Sequence, residues 1–149
     1  MKENKPRVLV VDDDENILET LRGVLEANGY VVDTALNGQE AIQKSKAKFF
    51  NLALLDIRLP DMEGTELLTK LKDATPRMRK VVITGYPTFQ NAVDAVNKNA
   101  DAYLIKPADA EKLLNVVRAQ LEMQAEDRKY SEAKVTEFIE NRVKKIAEA

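Results

Sequence analysis

A chain of 149 residues with 44% apolar and 32% charged side chains suits one soluble globular domain with a short appendage, and its net charge of −2 gives no electrostatic footprint for nucleic acid or an anionic membrane. Cysteine and histidine are both absent. That excludes a disulfide framework, a thiolate nucleophile, a Ser-His triad, a His-based zinc site and any phosphate relay through a histidine of this chain. No apolar run approaches the roughly 20 residues of a membrane span, and the polar start Met1 to Pro6 lacks the apolar core of a signal peptide. The expected setting is the cytoplasm, without membrane contact.

Five short apolar runs alternate with five helical patterns. Strand 1 is predicted over Arg7-Val8-Leu9-Val10-Val11. Helix 1 follows, with Ile17, Leu18, Leu21, Val24 and Leu25 on one face and Gly29 as its stop signal. Strand 2, Tyr30 to Ala35, is more polar and reads as a sheet edge. Helix 2 is predicted from about Gly38, with Ala41 and Ile42 inward. Strand 3 is Leu52-Ala53-Leu54-Leu55. Helix 3 begins near Gly64 and presents Leu67, Leu68 and Leu71. Strand 4 is Val81-Val82-Ile83. Helix 4 runs from about Thr88 with Phe89, Ala92, Val93 and Val96 on one face. Strand 5 is Ala102-Tyr103-Leu104-Ile105. Helix 5 starts near Asp109, which reads as its N-cap, and presents Leu113, Leu114, Val117 and Leu121.

Strands 1, 3, 4 and 5 are continuous apolar runs rather than alternating ones, the pattern of strands covered by helices on both faces. Strict strand–helix alternation implies a parallel sheet with right-handed crossovers. The expected fold is α/β: a doubly wound, five-stranded, flavodoxin-like sheet of order 2-1-3-4-5, with a C-terminal helical extension.

Open parallel sheets bind ligands outside the carboxyl ends of their strands. Strand 1 ends in Asp12-Asp13-Asp14, strand 3 in Asp56, strand 4 in Thr84-Gly85 and strand 5 in Lys106-Pro107. Carboxylates, a hydroxyl and an ammonium would converge there. Clustered carboxylates repel one another, and a hard divalent cation relieves the repulsion. An aspartate neutralised in this way can attack phosphorus, while an ammonium and a hydroxyl stabilise the equatorial oxygens of the transferring group.

Four segments in order, Val-Leu-Val-Val-Asp12-Asp13-Asp14, Leu-Leu-Asp56-Ile-Arg58-Leu-Pro-Asp-Met-Glu-Gly64, Ile-Thr84-Gly-Tyr86 and Ala-Tyr103-Leu-Ile-Lys106-Pro107, resemble the receiver domains of two-component response regulators (the CheY-like superfamily). The likeness covers about residues 5–122, leaving 123–149 as a helical extension or linker. It implies that Asp56 accepts a phosphoryl group from a sensor histidine kinase, with Mg²⁺ (or Mn²⁺) as cofactor. Asp13 would bind the ion directly, Asp12 through water or hydrogen bonding, and Arg58 through its backbone carbonyl. Asp56 itself would be a ligand. Thr84 and Lys106 would contact the phosphoryl group, and Tyr103 would be the aromatic switch residue moving with Thr84. The Lys106-Pro107 bond is often cis in such domains. Such a protein is not an enzyme beyond assisting its own phosphorylation and dephosphorylation. Its output would be a change in the face of helix 4, strand 5 and helix 5, read by a downstream protein or output module.

Other roles compete at single positions. Asp14 reads as an N-terminal helix residue serving cap and dipole, and Asp61 as a turn residue of the Pro-Asp-Met-Glu-Gly loop. Tyr103 also fits as a half-buried strand aromatic. Arg58 and Tyr86 each lie two residues past a site residue, bordering the path of a hydrolytic water in this family, and are expected to slow loss of the phosphoryl group.

The tail from Glu122 to Ala149 is too short for a DNA-binding or AAA+ module. Its charges nearly balance, so it is not a basic nucleic-acid arm. Val135, Phe138, Ile139, Val143 and Ile146 recur at helical spacing. They suggest a helix that continues helix 5 or hinges near Tyr130-Ser131, packing on its own domain or a partner. A dimerising coiled coil, a disordered linker and the first part of a linker in a longer regulator are the alternatives. Homodimers would form through this helix or through the helix 4–strand 5–helix 5 face. Two further classes fit the fold but not the residues. A haloacid dehalogenase-type phosphatase needs a second aspartate where Arg58 stands. A flavodoxin needs a hydroxyl- and glycine-rich phosphate loop where Asp12-Asp13-Asp14-Glu15-Asn16 would repel phosphate.

Overall fold

The computed structural model describes residues 5–74 and 76–148. Leu52–Asp56 (β3) is buried at every position, as is Arg79–Thr84 (β4), because helices cover both faces of the sheet. Arg7–Val11 (β1) lies beside β3, and Val31–Ala35 (β2) and Ala102–Ile105 (β5) form the two edges. All pairings are parallel and the order is β2-β1-β3-β4-β5, the doubly wound arrangement expected from the alternation of elements.

The helices are Glu15–Glu26 (α1), Gly38–Ala47 (α2), Gly64–Lys70 (α3), Phe89–Asn97 (α4) and Ala110–Glu148 (α5). Each strand sends alternate side chains to opposite faces, so the sheet has two cores. Leu9, Val11, Ala53, Leu55 and Val82 pack with Ala41, Ile42, Leu67, Leu68 and Ala95 from α2, α3 and α4. Val8, Val10, Leu52, Leu54 and Val81 pack with Leu18, Leu25, Leu113 and Val117 from α1 and α5. Each fully buried leucine contributes about 1.5–3 kcal/mol, so this two-sided burial is the main force holding the helices to the sheet.

Local signals set several boundaries. Asp14 caps α1, its Oδ1 accepting from the N–H groups of Asn16 (2.8 Å) and Ile17 (3.3 Å). Asn37 caps α2 through Glu40 N–H, and Asp109 caps α5 through Lys112 N–H. Gly29 takes φ +92° just after α1, where a side chain would be strained.

Two features depart from the sequence expectation. β4 begins two residues early, taking in the buried Arg79 and Lys80. In α4 the inward residue is Ala95, while Phe89 and Val96 are 85% and 70% exposed. Of the two expected courses of the tail, the structure takes the first: α5 runs unbroken to Glu148, with no hinge at Tyr130-Ser131. No glycine or proline interrupts it, and the run is rich in strong helix formers. Among the described residues, no helix is long and apolar enough to cross a membrane.

Candidate functional site

The carboxyl ends of β1 and β3 lie side by side, Val11 pairing with Leu55. The next residues of the chain, Asp12 and Asp13, therefore emerge beside Asp56. Ligand-capable oxygens of these three carboxylates all lie within 4.8 Å of one another. Asp12 is 2% and Asp56 6% exposed, whereas Asp13 faces solvent. β5 delivers Lys106, whose Nζ donates to Asp12 Oδ2 (2.6 Å) and more weakly to Asp56 Oδ2 (3.4 Å). Three carboxylates facing one ammonium leave the cluster net negative, and an all-oxygen donor set suits a hard divalent cation.

The electrostatics follow from that crowding. Burial pushes the Asp56 carboxyl up; Lys106 opposes the rise, Asp12 adds to it, and the Arg58 N–H, 3.4 Å from Asp56 Oδ1, pulls it down, leaving it raised. For Lys106 burial pulls downward, but the hydrogen bond and charge of Asp12 and the charge of Asp56 prevail, so its ammonium is held above the usual lysine range. The lysine is therefore firmly protonated, and a further cation would relieve the charge on an ionised Asp56.

The loop after β3 is a small hairpin. Arg58 and Glu63 form an antiparallel bridge, with Gly64 N–H donating to Ile57 O (2.7 Å) and Leu59 N–H to Met62 O (3.2 Å). In such a pair the N–H and C=O of one residue point the same way. Arg58 lies between the two cross-bonds, so its N–H and carbonyl both turn out of the hairpin, and the N–H meets Asp56. Gly64 closes the base: a Cβ there would lie 2.1 Å from the Asp56 carbonyl oxygen. The sequence carries the signal for this contact, a glycine at the first position of a helix that would otherwise favour almost any other residue.

Thr84 is fully buried at the end of β4, and its Oγ1 accepts from Tyr86 N–H at 2.9 Å. Tyr103 pairs with Val82 on β5, and its ring packs on the α2–α4 side core with Leu59 and Met62. Burial raises the Tyr103 phenol, whose buried hydroxyl has no hydrogen-bond partner among the described residues. Lys106-Pro107 is cis. The Arg58 guanidinium lies over the Tyr86 ring, 4.1 Å from its centroid, linking the loop after β3 to that after β4. The structure thus gathers Asp12, Asp13, Asp56 and Lys106 at one point, with the Arg58 backbone alongside. Thr84 and Tyr103 stand on the neighbouring strands β4 and β5.

Residues 8–118 match the family model described as the response regulator receiver domain. The chain belongs to that family. This receiver is 37% identical over 121 residues to the alginate biosynthesis transcriptional regulatory protein AlgB of Pseudomonas syringae pv. tomato, a match covering 81% of this chain and 27% of that protein. It is 41% identical over 106 residues to the transcriptional regulatory protein ZraR of Klebsiella oxytoca, covering 71% of this chain and 24% of the relative. The receiver thus spans about a quarter of the length of these relatives. Among solved structures, a CheY-like receiver domain protein from Methanospirillum hungatei superposes with TM-score 0.80 at 44% identity, covering 83% of this chain and 99% of that one. A response regulator from Burkholderia pseudomallei, solved with a phosphorylated aspartic acid and a calcium ion, superposes with TM-score 0.72 at 38% identity, covering 83% of this chain and 73% of that one.

Proposed function

We propose that this receiver takes a phosphoryl group onto Asp56 from the phosphohistidine of a sensor kinase, and that the modified state is read at the face of α4, β5 and α5. The observation that carries the reading is the convergence of Asp12, Asp13 and Asp56 with the Lys106 ammonium at the strand ends. Asp56 Oδ would bond to phosphorus as the P–N bond of a donor phosphohistidine protonated on its other ring nitrogen breaks, so that the bonding pair returns to the ring and the kinase histidine leaves as a neutral imidazole. Lys106, already protonated between Asp12 and Asp56, is placed to pair with the new phosphoryl oxygens. Asp12, Asp13, Asp56 and the Arg58 carbonyl are the groups that would hold Mg²⁺ (or Mn²⁺). When bound, the ion would neutralise the carboxylates and the charge developing on the phosphoryl oxygens. The phosphorylated aspartate and calcium ion of the Burkholderia pseudomallei relative support this chemistry.

Thr84 and Tyr103 form the proposed switch. Among the described residues the Thr84 hydroxyl has one local bond to give up, and the Tyr103 hydroxyl has no partner, so neither is locked in place by a network there. The exposed Phe89, Val96 and Ile105 supply apolar surface on the face to be read. The reader is a downstream protein or output module; a second copy of the chain is proposed to pair through this face or through the end of α5.

Intact mass after incubation with Mg²⁺ and acetyl phosphate tests the central claim. A gain of one phosphoryl group is expected for the parent and not for Asp56→Asn. No gain with acetyl phosphate or with a phosphorylated kinase would reject the phosphoacceptor role. The stacked Arg58 and Tyr86 are proposed to cover the approach of water to the aspartyl phosphate. Arg58→Asn with Tyr86→Ala should shorten its half-life about tenfold, and an unchanged half-life would remove the proposed shield.

A further inference from the structure

The hairpin that carries Arg58 is fixed at three points. Its base is fixed by Gly64 against the Asp56 backbone. Near its tip, the Met62 thioether occupies the space where a Cβ on Gly38 would stand, 2.5 Å from the sulfur. At the tip, Asp61 reaches a different element: Oδ1 accepts from Gly38 N–H (2.8 Å) and Oδ2 from Gln39 N–H (2.9 Å), the first two residues of α2. These bonds hold the Asp61 carboxyl below the usual range, so it stays ionised at neutral pH. A turn aspartate needs no such reach. α2 also has its own cap in Asn37, whose Oδ1 accepts from Glu40 N–H, so helix termination alone does not require Asp61.

We infer that Asp61 is a positioning residue for the phosphorylation site: by mooring the hairpin tip to α2 it fixes the direction of the Arg58 carbonyl, and so the affinity of the Asp12–Asp13–Asp56 cluster for a divalent cation. The inference rests on the metal reading proposed above. The lever is short. Arg58 is cross-bridged to Glu63, and Leu59 N–H is bonded to Met62 O, so Asp61 sits in the turn that closes this two-rung ladder. Releasing the tip lets the ladder tilt about Gly64, and Arg58 tilts with it. Partners that orient metal ligands typically change affinity 10–100-fold when removed. One step further out, the expected loss is about 3- to 10-fold.

The test is Mn²⁺ titration of the full chain, following free Mn²⁺ by electron paramagnetic resonance, with a thermal melt of each variant in EDTA. Asp61→Ala should weaken Mn²⁺ binding about 3- to 10-fold, and Asp61→Asn, which keeps an acceptor oxygen, should recover part of it. Asn37→Ala removes a cap from the same helix end without touching the hairpin. It should lower the melting temperature and leave Mn²⁺ affinity unchanged. Equal Mn²⁺ affinity in parent and Asp61→Ala overturns the positioning role alone. So does an equal loss in Asn37→Ala, which would make the effect a general loosening of α2. A parent that binds no Mn²⁺ overturns this inference together with the metal reading.

Discussion

Asp56 sits where its own charge is unwelcome, because burial and the Asp12 carboxylate together outweigh the pull of Lys106 and of the Arg58 N–H. The consequence for stability can be signed. The folded carboxyl titrates above its ordinary value of 3.8, so between that value and the folded one the native state binds the proton more readily than the unfolded chain. Stability therefore falls as pH rises through this window, and at neutral pH the ionised Asp56 is a standing penalty. In EDTA at pH 7, Asp56→Asn should melt higher than the parent, on the order of 3 °C. The gap should close below about pH 4, where the parent's own carboxyl is protonated. Added Mg²⁺ should raise the parent more than the variant, since a ligand stabilises only the state that binds it. Equal melting temperatures at both pH values would mean that Lys106 already compensates Asp56 in full.

At the scale of elements, α5 is held by polar groups as well as by Leu113, Leu114 and Val117. Gln124 is 5% exposed and donates Nε2 to the carbonyls of Asn51 (2.9 Å) and Arg77 (2.7 Å), while its Oε1 accepts from Asn51 Nδ2 (3.0 Å). One turn earlier, Gln120 Oε1 accepts from the buried Arg79 Nε (3.0 Å), whose Nη1 also reaches Asp127 (3.4 Å). Gln124→Leu would leave the Asn51 amide and two carbonyls without these partners, a loss of about 3 kcal/mol. Glu132→Leu, on the exposed stretch, should shift stability by about 0.5 kcal/mol or less. Urea titrations with a common slope would measure both; similar values for the two variants would refute the seam's energetic role. This seam also marks the limit of sequence reading. The strands were legible because burial on both faces forces continuous apolar runs, and Asp12, Asp13, Asp56 and Lys106 were legible because parallel topology brings strand ends together. Gln120 and Gln124 were not, because these partners are supplied by β4 and by the segments just before β3 and β4, and no local periodicity encodes an amide's distant acceptor. Likewise the spacing of Phe89 and Val96 defined a face of α4 but not which way it points. Asp61 read correctly as a turn residue, but its bonds to α2 depend on how two loops meet.

For the whole molecule, the question is where the receiver ends and the free helix begins. The receiver-family match ends at residue 118 and the sequence reading puts the end of the domain near Glu122, yet Gln124 and Asp127 still bond to the sheet end. Beyond Gln124 every described residue of α5 is exposed, including Val135, Phe138, Ile139, Val143 and Ile146 at 53–74%. We therefore place the mechanical boundary at about residue 128. A fragment of residues 1–129 should melt within about 2 °C of the full chain and keep phosphoryl uptake, because it retains both cores and the polar seam. A fragment of residues 1–122 should be destabilised by about as much as Gln124→Leu or more, since it loses Gln124 and Asp127 together. If both fragments melt alike, the seam belongs to the free helix and the boundary lies at 122. Light scattering on the full chain and the longer fragment then separates the two proposed homodimers. Association lost with residues 130–149 belongs to the apolar stripe of α5, because that stripe has no other surface to cover it on the described chain. Association that survives the cut must use α4, β5 and the docked part of α5, and should then respond to phosphorylation of Asp56.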